Sequence, residues 1–313
     1  MLSTMKIIWR LGLPLCLTFV IQMMIIMVDS AFAGNISYSS LAAVSLASNT
    51  FYIFLLLVIG ICVACSVMAG QAIGAADHRA MLNCFRQGTF LCILFGMILS
   101  VMLLNCSAIM RVFGQQDEVI ATMKPYMAWF AWTLPLQSLT VLYRTYFAVI
   151  DKPWAGVWPV AYALVLNASL NYCLSSGNLG FPAMGIAGIG LASLISNIFL
   201  LALMLRNIGW ITVASMFDFK NQYMWKDKGM QRLLIISMPI SITLVVEEAF
   251  FSGSAYLAGY LGAEEQAAHQ ILLNSAGTSY LFNMGISTAC SILIGKYIGA
   301  GRLSEILKTV KAG

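Results

Sequence analysis

The sequence contains few charged residues. Only 9% of its 313 residues are charged, 17 Lys+Arg and 12 Asp+Glu, whereas a typical soluble domain has about 25%. Hydrophobic residues make up 60%, and the mean hydropathy is +0.87. These charges are too few to cover a soluble protein of this size, so the composition excludes a soluble domain. The net charge of +5 is also too small to favour nucleic-acid binding.

Residues that typically form catalytic, metal and nucleotide sites are equally scarce. The chain has two histidines and no glycine-rich phosphate loop ending in Gly-Lys-Ser/Thr, so we predict no metal, no cofactor, no ATP-driven step and no enzyme activity. Cys62 and Cys65 have redox spacing, but they lie in an apolar run without histidine partners. We interpret them as packing residues, and a membrane thiol oxidoreductase is the weakest of the functional hypotheses.

Long apolar runs dominate the sequence instead. A membrane-spanning helix needs about 20 residues, and hydropathy with helix breakers predicts eight such helices, near 11–33, 41–71, 85–109, 121–148, 155–174, 184–206, 234–261 and 265–297. The first helix resembles a signal peptide, but the run 11–28 is long for a signal core and recurs in mid-chain. The sequence therefore predicts an all-α polytopic membrane protein whose partner is the lipid bilayer.

The positions of the basic residues predict the orientation of the chain. With a cytoplasmic amino terminus, 15 of the 17 Lys+Arg lie in cytoplasmic segments and helix ends, which leaves Arg111 and Lys124 outside. We therefore expect a multi-pass plasma-membrane protein, in the inner membrane if the source is Gram-negative. The segment 207–233 reads as a cytoplasmic amphipathic linker between a first domain, 1–206, and a second, 234–313.

An internal repeat relates these two domains. Residues 14–75 align without gaps to 239–300, at an offset of 225, with 18 of 62 positions identical. Six predicted helices separate the starts of the copies, so both enter the membrane in the same direction, as in two-lobed bundles with a pseudo-twofold axis along the membrane normal. The first lobe would have six helices. The second would have only two, and residues 303–313 resemble the approach to a ninth.

Three acidic residues lie within predicted membrane helices, where a charge costs at least ~2.5–3.5 kcal/mol on insertion scales. Seven residues separate Gln22 from Asp29, which places both on one helix face. The repeat aligns Glu247 with Gln22 and Ser254 with Asp29. We predict Asp29 and Glu247 as cation- or proton-coupling groups, and Gln22, Ser254 and Glu248 as weaker members of the pathway.

Other positions extend this prediction. Asn49 and Asn274 are repeat equivalents that extend the polar stripes or hydrogen-bond between helices. Pro14 and Pro239 are also equivalent, and we predict them as hinges because proline leaves a backbone carbonyl free. The 19 Met and 17 Phe provide the adaptable apolar surface that lipophilic substrates require.

The ordered motifs of the chain resemble those of the multidrug and toxic compound extrusion (MATE) family. They are VDSAFAG (28–34), LAAVS (41–45), GQAIGAAD (70–77), LNASLN (166–171), FPAMGIAGIGLAS (181–193), LAGYLG (257–262), AAHQ (267–270) and IGAG (298–301). The resemblance implies twelve helices in two lobes and export of drugs coupled to H⁺ or Na⁺. It also implies that Asp29 and Glu247 are the carboxylates of the two lobes. Some members have Asp where this chain has Asn171, which we include in the pathway.

Three functional hypotheses rank above the thiol oxidoreductase. The first is a cation-coupled antiporter, consistent with a monomer, that exports small lipophilic or cationic compounds. The second is a lipid-linked oligosaccharide flippase, which would need several basic residues inside the bundle; the sequence suggests none, because Arg86 and Arg144 lie near the ends of predicted helices. The third is a truncated, non-transporting remnant. Because the second lobe ends early, we expect this chain alone to show no coupled export.

Overall fold

The computed structural model describes residues 2–112, 117–220, 228–261 and 263–312, and these ranges contain helices and connections but no strand. The helices are α1 (Leu2–Ile36), α2 (Tyr38–Gly74), α3 (His78–Leu104), α4 (Ser107–Val112), α5 (Asp117–Phe130), α6 (Thr133–Val149), α7 (Trp154–Ser176), α8 (Ile186–Ile208), α9 (Trp210–Met216), α10 (Gly229–Leu261), α11 (Ala263–Gly299) and α12 (Leu303–Ala312). The all-α prediction is confirmed.

Seven of these helices are long and apolar enough to cross a membrane: α1, α2, α3, α7, α8, α10 and α11. They correspond to seven of the eight predicted spans, so the prediction of a multi-pass membrane protein is confirmed. The remaining prediction, one continuous helix over 121–148, is wrong. Residues 117–149 instead form α5 and α6, of 14 and 17 residues, joined by a turn.

Pro135 explains this break. Proline has no N–H to donate to the carbonyl four residues earlier, which is that of Ala131, at the turn between the two helices. Two other donors use this carbonyl: the N–H of Leu134 at 3.2 Å and the Ser100 hydroxyl of α3 at 2.8 Å. An irregular backbone at membrane depth requires such replacement partners, so α3 stabilises the break.

The third predicted span also begins earlier than expected. α3 starts at His78 rather than near 85, because the Asp77 side chain caps it by accepting the N–H of Ala80 at 2.9 Å. A carboxylate at this position satisfies one of the free N–H groups of the first turn. The sequence prediction followed hydropathy alone, and the polar first turn of α3 has no apolar signal.

The segment between the two lobes is shorter than predicted and partly helical. α8 continues to Ile208 and α10 begins at Gly229, so both extend into the predicted linker 207–233. Between them, α9 packs on α3, where Arg86 donates from Nε to the Ser215 carbonyl at 2.7 Å and from Nη2 to its hydroxyl at 3.1 Å. Arg86 thus holds the linker against the first lobe.

The two copies of the repeat meet in space as symmetry equivalents. Cys16 of α1 donates to the carbonyl of Phe282 of α11 at 3.3 Å. Its equivalent, Ser241 of α10, donates to the carbonyl of Leu57 of α2 at 2.7 Å. Both partners of the second bond are offset by 225 residues from those of the first, so a pseudo-twofold axis relates α1–α2 to α10–α11.

Glycines bring the copies together where α2 and α11 end. A Cβ on Gly74 would collide with the carbonyl oxygen of Lys296, and one on the equivalent Gly299 would collide with that of Gln71. We call this the basic end of the bundle, because Lys296 lies in the last turn of α11 and Arg79 and Arg302 follow the ends of α2 and α11. Lys296 of α11 also forms an ion pair there with Asp151, whose carboxylate lies 2.9 Å away in the turn between α6 and α7.

Candidate functional site

Asp29 is buried inside the first lobe, with 4% of its surface exposed. Its Oδ1 accepts the side-chain amides of Asn171 at 2.7 Å and of Asn167 at 3.2 Å. Its Oδ2 accepts the hydroxyl of Ser193 at 2.5 Å. The carboxylate is therefore surrounded by neutral donors, and none of the ion pairs among the described residues includes it.

Two helices position these donors. Asn167 and Asn171 are four residues apart and therefore lie on one face of α7, and Asn171 also donates to the Asn167 side-chain oxygen at 3.1 Å. Ser193 belongs to α8, which packs closely on α5: Gly190 has no side chain there, and a Cβ on it would lie 2.6 Å from the Tyr126 carbonyl. Asn171 is a site residue that the sequence predicts, whereas Asn167 and Ser193 are not, although the spacing of the two asparagines is a signal for Asn167.

The cluster is rich in oxygen atoms as well as in donors. The Oδ1 atom of Asn171 is sealed from solvent and has no hydrogen-bond partner. It lies on the side chain that makes the shortest amide contact with Asp29. Carboxylate, amide and hydroxyl oxygens are the ligands of hard cations, and a carboxylate in this setting is equally able to take up a proton.

Gln22, the other member of the predicted stripe on α1, contacts a different helix. Its side-chain oxygen accepts Nη1 of Arg144 at 3.0 Å, and the same nitrogen donates to Thr18 at 3.3 Å. The guanidinium lies over the Phe19 ring, 4.3 Å from its centroid. Our inference that no basic residue is buried in a span is therefore wrong for both arginines: Arg144 is 4% exposed, because its side chain extends from α6 to α1, and Arg86 of α3 is 7% exposed.

The second copy presents its polar residues to an open groove. Glu247, Thr243 and Ser254 line a groove of about 610 Å³ together with apolar side chains of α10. Glu247 and the adjacent Glu248 are half-buried, and the Ser254 hydroxyl donates to the Phe251 carbonyl at 2.7 Å. Glu247 and Ser254 thus share one face of α10, as the repeat predicted.

The other predicted site residues lie apart from these groups. Asn49 is exposed on α2 and makes none of the hydrogen bonds of the Asp29 cluster. Asn274 belongs to α11, but its side chain lies outside the described residues. Pro14 is buried and Pro239 is exposed, and α1 and α10 both continue through them. Their role as hinges stays a prediction.

Cys62 and Cys65 are not paired with each other. The sulfur of Cys62 lies 3.8 Å from that of Cys92, and the sulfur of Cys65 lies 3.3 Å from that of Cys84. All four are buried free thiols at the contact between α2 and α3. This arrangement differs from the two-cysteine redox motif that the thiol oxidoreductase hypothesis requires.

Comparison with known proteins agrees with this architecture. The solved structure of the Vibrio cholerae MATE transporter VcmN in its bent form superimposes with a TM-score of 0.88 at 16% identity, covering 99% of this chain and 69% of that one. Two curated relatives are each described as a probable multidrug resistance protein NorM. The protein from Mesorhizobium japonicum is 28% identical over 309 residues, and that from Bradyrhizobium diazoefficiens is 27% identical over 293.

The alignments cover 96% and 93% of this chain but 64% and 62% of those relatives, so the chain spans less than two thirds of their length. The MatE family model matches residues 14–173 and again 239–313, which are the segments that contain the two copies of the repeat. The chain therefore belongs to the MatE family, whose members are membrane transporters and not enzymes.

Proposed function

We propose that the chain forms the first lobe and the start of the second lobe of a cation-coupled antiporter that exports lipophilic or cationic compounds. The observation that carries this proposal is the burial of Asp29 among neutral donors in the membrane-embedded lobe. A carboxylate at this depth is costly unless it is paired or neutralised. Uptake of H⁺ or Na⁺ neutralises it, and release restores a charge that the surrounding amides stabilise.

Coupling requires that Asp29 change its neighbours when it changes its charge. The donors from Asn167, Asn171 and Ser193 favour the ionised form, because each of them donates a hydrogen to it. Protonation of Asp29 converts one acceptor oxygen to a donor, which opposes the donors already present. α1 then loses part of its attachment to α7 and α8, and the repacking of α1 carries the signal to the pathway.

Close contact of the lobes at the basic end supports alternating access. Gly74 and Gly299 pack against the opposite copy there, and the ion pair of Lys296 with Asp151 adds a second contact. With the amino terminus in the cytoplasm, this arrangement closes the cytoplasmic side of the bundle. Transport then requires that these contacts open, which agrees with rocking of two lobes about a central pathway.

The substrate class rests on the relatives and on the groove of the second copy. The relatives are described as multidrug resistance proteins, and the groove combines the Glu247 carboxylate with Phe250 and Phe251. An acid beside aromatic rings suits a lipophilic cation. The flippase hypothesis calls for a cluster of buried basic residues to hold a pyrophosphate, whereas the two buried arginines of the described residues have separate partners: Arg144 donates to Gln22, and Arg86 donates to Ser215 in the linker.

The test compares Asp29→Asn with Asp218→Asn, an exposed control in the linker. Ethidium binding to the purified chain in nanodiscs is measured by fluorescence anisotropy between pH 6 and pH 8, with and without Na⁺. We expect wild type and the control to bind ethidium with an affinity that depends on pH or Na⁺, because the coupling ion and the substrate compete. Asp29→Asn should bind with an affinity that neither variable changes.

Ethidium accumulation in cells that lack other efflux pumps provides the second readout. Energy-dependent export that Asp29→Asn abolishes at equal protein level would show that this chain acts as an antiporter by itself, whereas coupled binding without export, the result expected from the sequence, would favour the remnant hypothesis. The same pH or Na⁺ dependence in wild type and in Asp29→Asn would contradict the role of this carboxylate.

A further inference from the structure

Arg144 is a buried cation that the coupling scheme does not use. It belongs to α6 and contacts α1, the helix that also contains Asp29, and only 4% of its surface is exposed. A buried charge costs several kcal/mol unless it is paired. In the described part of the chain the ion pairs join Arg111 to Asp117, Lys296 to Asp151 and Lys308 to Glu305, and none includes Arg144.

The hydrogen bonds of Arg144 leave most of its donors available. Nη1 donates to the neutral oxygens of Gln22 and Thr18, and the ring of Phe19 supports one face of the guanidinium. Five N–H groups in a planar fork match a carboxylate with two parallel hydrogen bonds. Among the described residues the hydrogen bonds of Arg144 use Nη1 alone, which leaves the N–H groups of Nε and Nη2 for a further acceptor.

The repeat places an acid at the corresponding position of the other lobe. Glu247 is the equivalent of Gln22, the residue that Arg144 contacts, so a cation and an acid lie at the same depth on opposite lobes. Tyr52 of α2 lies within electrostatic range of Arg144 and also of Glu247 and Glu248. This tyrosine is 36% exposed, so the side chain that lies within range of both charges is not sealed inside the bundle.

We propose that Arg144 binds the carboxylate of zwitterionic lipophilic substrates, whose cationic group is held by Glu247 on the opposite lobe. The pathway then has a basic wall from the first lobe and an acidic wall from the second. An entering carboxylate replaces Gln22 as the acceptor of Nη1 and takes a second N–H of the fork. This inference rests on the proposed export function and adds the substrate class that the arginine selects.

The test uses two dyes that differ in one group. Rhodamine 110 has a free benzoate and is a zwitterion, whereas rhodamine 123 is its methyl ester and a cation. Acidic groups alone would favour the ester, because the free acid lacks its net positive charge. We expect wild type in phosphatidylcholine nanodiscs to bind rhodamine 110 about tenfold more tightly than rhodamine 123, which is the size of effect that a hydrogen-bonded charge provides.

Substitution of Arg144 should remove this preference selectively. Arg144→Gln should weaken rhodamine 110 binding about tenfold and leave rhodamine 123 binding unchanged. Arg144→Lys keeps the charge without the planar fork, so its affinity for rhodamine 110 should lie between those of wild type and Arg144→Gln. Arg206→Gln, at an exposed arginine at the end of α8, should match wild type for both dyes.

The remaining outcomes separate the two proposals. If wild type binds rhodamine 123 as tightly as or more tightly than rhodamine 110, the carboxylate site is wrong, even if Arg144→Gln does not fold. If neither dye binds but ethidium does, the carboxylate site is wrong and the export proposal stands; if ethidium does not bind either, both proposals are wrong. If phosphatidylglycerol in the nanodiscs abolishes only rhodamine 110 binding, an anionic lipid headgroup occupies Arg144 and the substrate assignment is overturned.

Discussion

Individual residues of the Asp29 cluster determine how many negative charges it contains. The side chain of Asn171 is neutral, so Asp29 is the only acid among the four hydrogen-bonded side chains Asp29, Asn167, Asn171 and Ser193. Two carboxylates in hydrogen-bond contact repel each other unless a cation or a proton lies between them. The identity of residue 171 therefore determines how strongly the cluster binds a cation.

This argument predicts the behaviour of Asn171→Asp. At pH 8 the variant should gain more thermal stability from Na⁺ than wild type does, because the ion relieves the repulsion between two adjacent carboxylates. Asn49→Asp adds the same charge at an exposed position of α2 and should respond to Na⁺ as wild type does. Thermal unfolding of the purified proteins across a Na⁺ series measures the difference, and equal responses in all three would contradict a cation site at this cluster.

At the scale of single helices, the break between α5 and α6 depends on a hydrogen bond from a neighbour. Pro135 leaves the Ala131 carbonyl without its usual helical donor, and the Ser100 hydroxyl of α3 donates to that carbonyl at 2.8 Å. Interhelical hydrogen bonds in membrane proteins contribute about 0.6 kcal/mol on average and up to about 1.7 kcal/mol. The bond to Ala131 belongs at the upper end, because Ser100 is completely buried.

We therefore expect Ser100→Ala to lower the free energy of unfolding by about 1 kcal/mol. The matched control is Ser169→Ala in α7, since Ser169 is exposed and its hydroxyl donates to the Val165 carbonyl of its own helix at 2.8 Å. Equilibrium unfolding in mixed micelles of increasing SDS content measures both variants. An equal loss of stability in the two would show that α3 does not support the break.

The close contact between α2 and α11 also depends on how whole helices pack. A side chain at Gly299 would collide with the Gln71 carbonyl, so Gly299→Leu should force the basic ends of the two helices apart. Gly277→Leu is the control on the same helix, because a Cβ there meets no atom within 4 Å. Spin labels at Arg79 and Arg302, both exposed, should report a longer mean distance in Gly299→Leu alone.

An unchanged distance in Gly299→Leu would mean that the lobes do not close through this contact. Ethidium accumulation in the same variant provides a functional readout. The proposed mechanism requires closure at the basic end in every cycle, so we expect whatever export wild type shows in this assay to fall with Gly299→Leu and to remain with Gly277→Leu.

At the scale of the whole molecule, the distribution of basic residues predicts how the bundle is oriented. Single cysteines at Ser39 and Ser176 should react with an impermeant thiol reagent in intact cells, in a background without the native cysteines. A cysteine at Lys228, which is exposed near the start of α10, should not react. Ser176 is preferable to the adjacent Gly177, because Gly177 has φ of +74° and little room for a side chain.

If the cysteine of Lys228→Cys reacts without permeabilisation, the topology is the reverse of the one predicted, and so is the direction of transport. This result would also place the closed basic end of the bundle outside the cell. Reaction at Lys228 only after permeabilisation is the result expected from the positive-inside distribution of lysine and arginine.

The sequence alone determined the features that depend on local composition and on the repeat. Apolar runs predicted eight spans, of which seven are confirmed, because insertion into a bilayer depends on the hydrophobicity of each segment. The offset of 225 residues predicted the parallel copies, whose equivalent hydrogen bonds at Cys16 and Ser241 agree with that symmetry. Asp29 was identified as a candidate because a carboxylate within an apolar run is costly wherever the helix packs.

Tertiary structure decided what depends on packing between helices. The sequence placed Arg144 near a helix end, but the packing of α6 on α1 directs its guanidinium inward to Gln22. Likewise, Asn167 and Ser193 become partners of Asp29 only because α7 and α8 converge on α1. Hydropathy along the sequence indicates which residues lie within a membrane helix. Which side chains meet inside the bundle depends on how the helices pack, and this brings together residues as far apart in the chain as Asp29 and Ser193, 164 positions from each other.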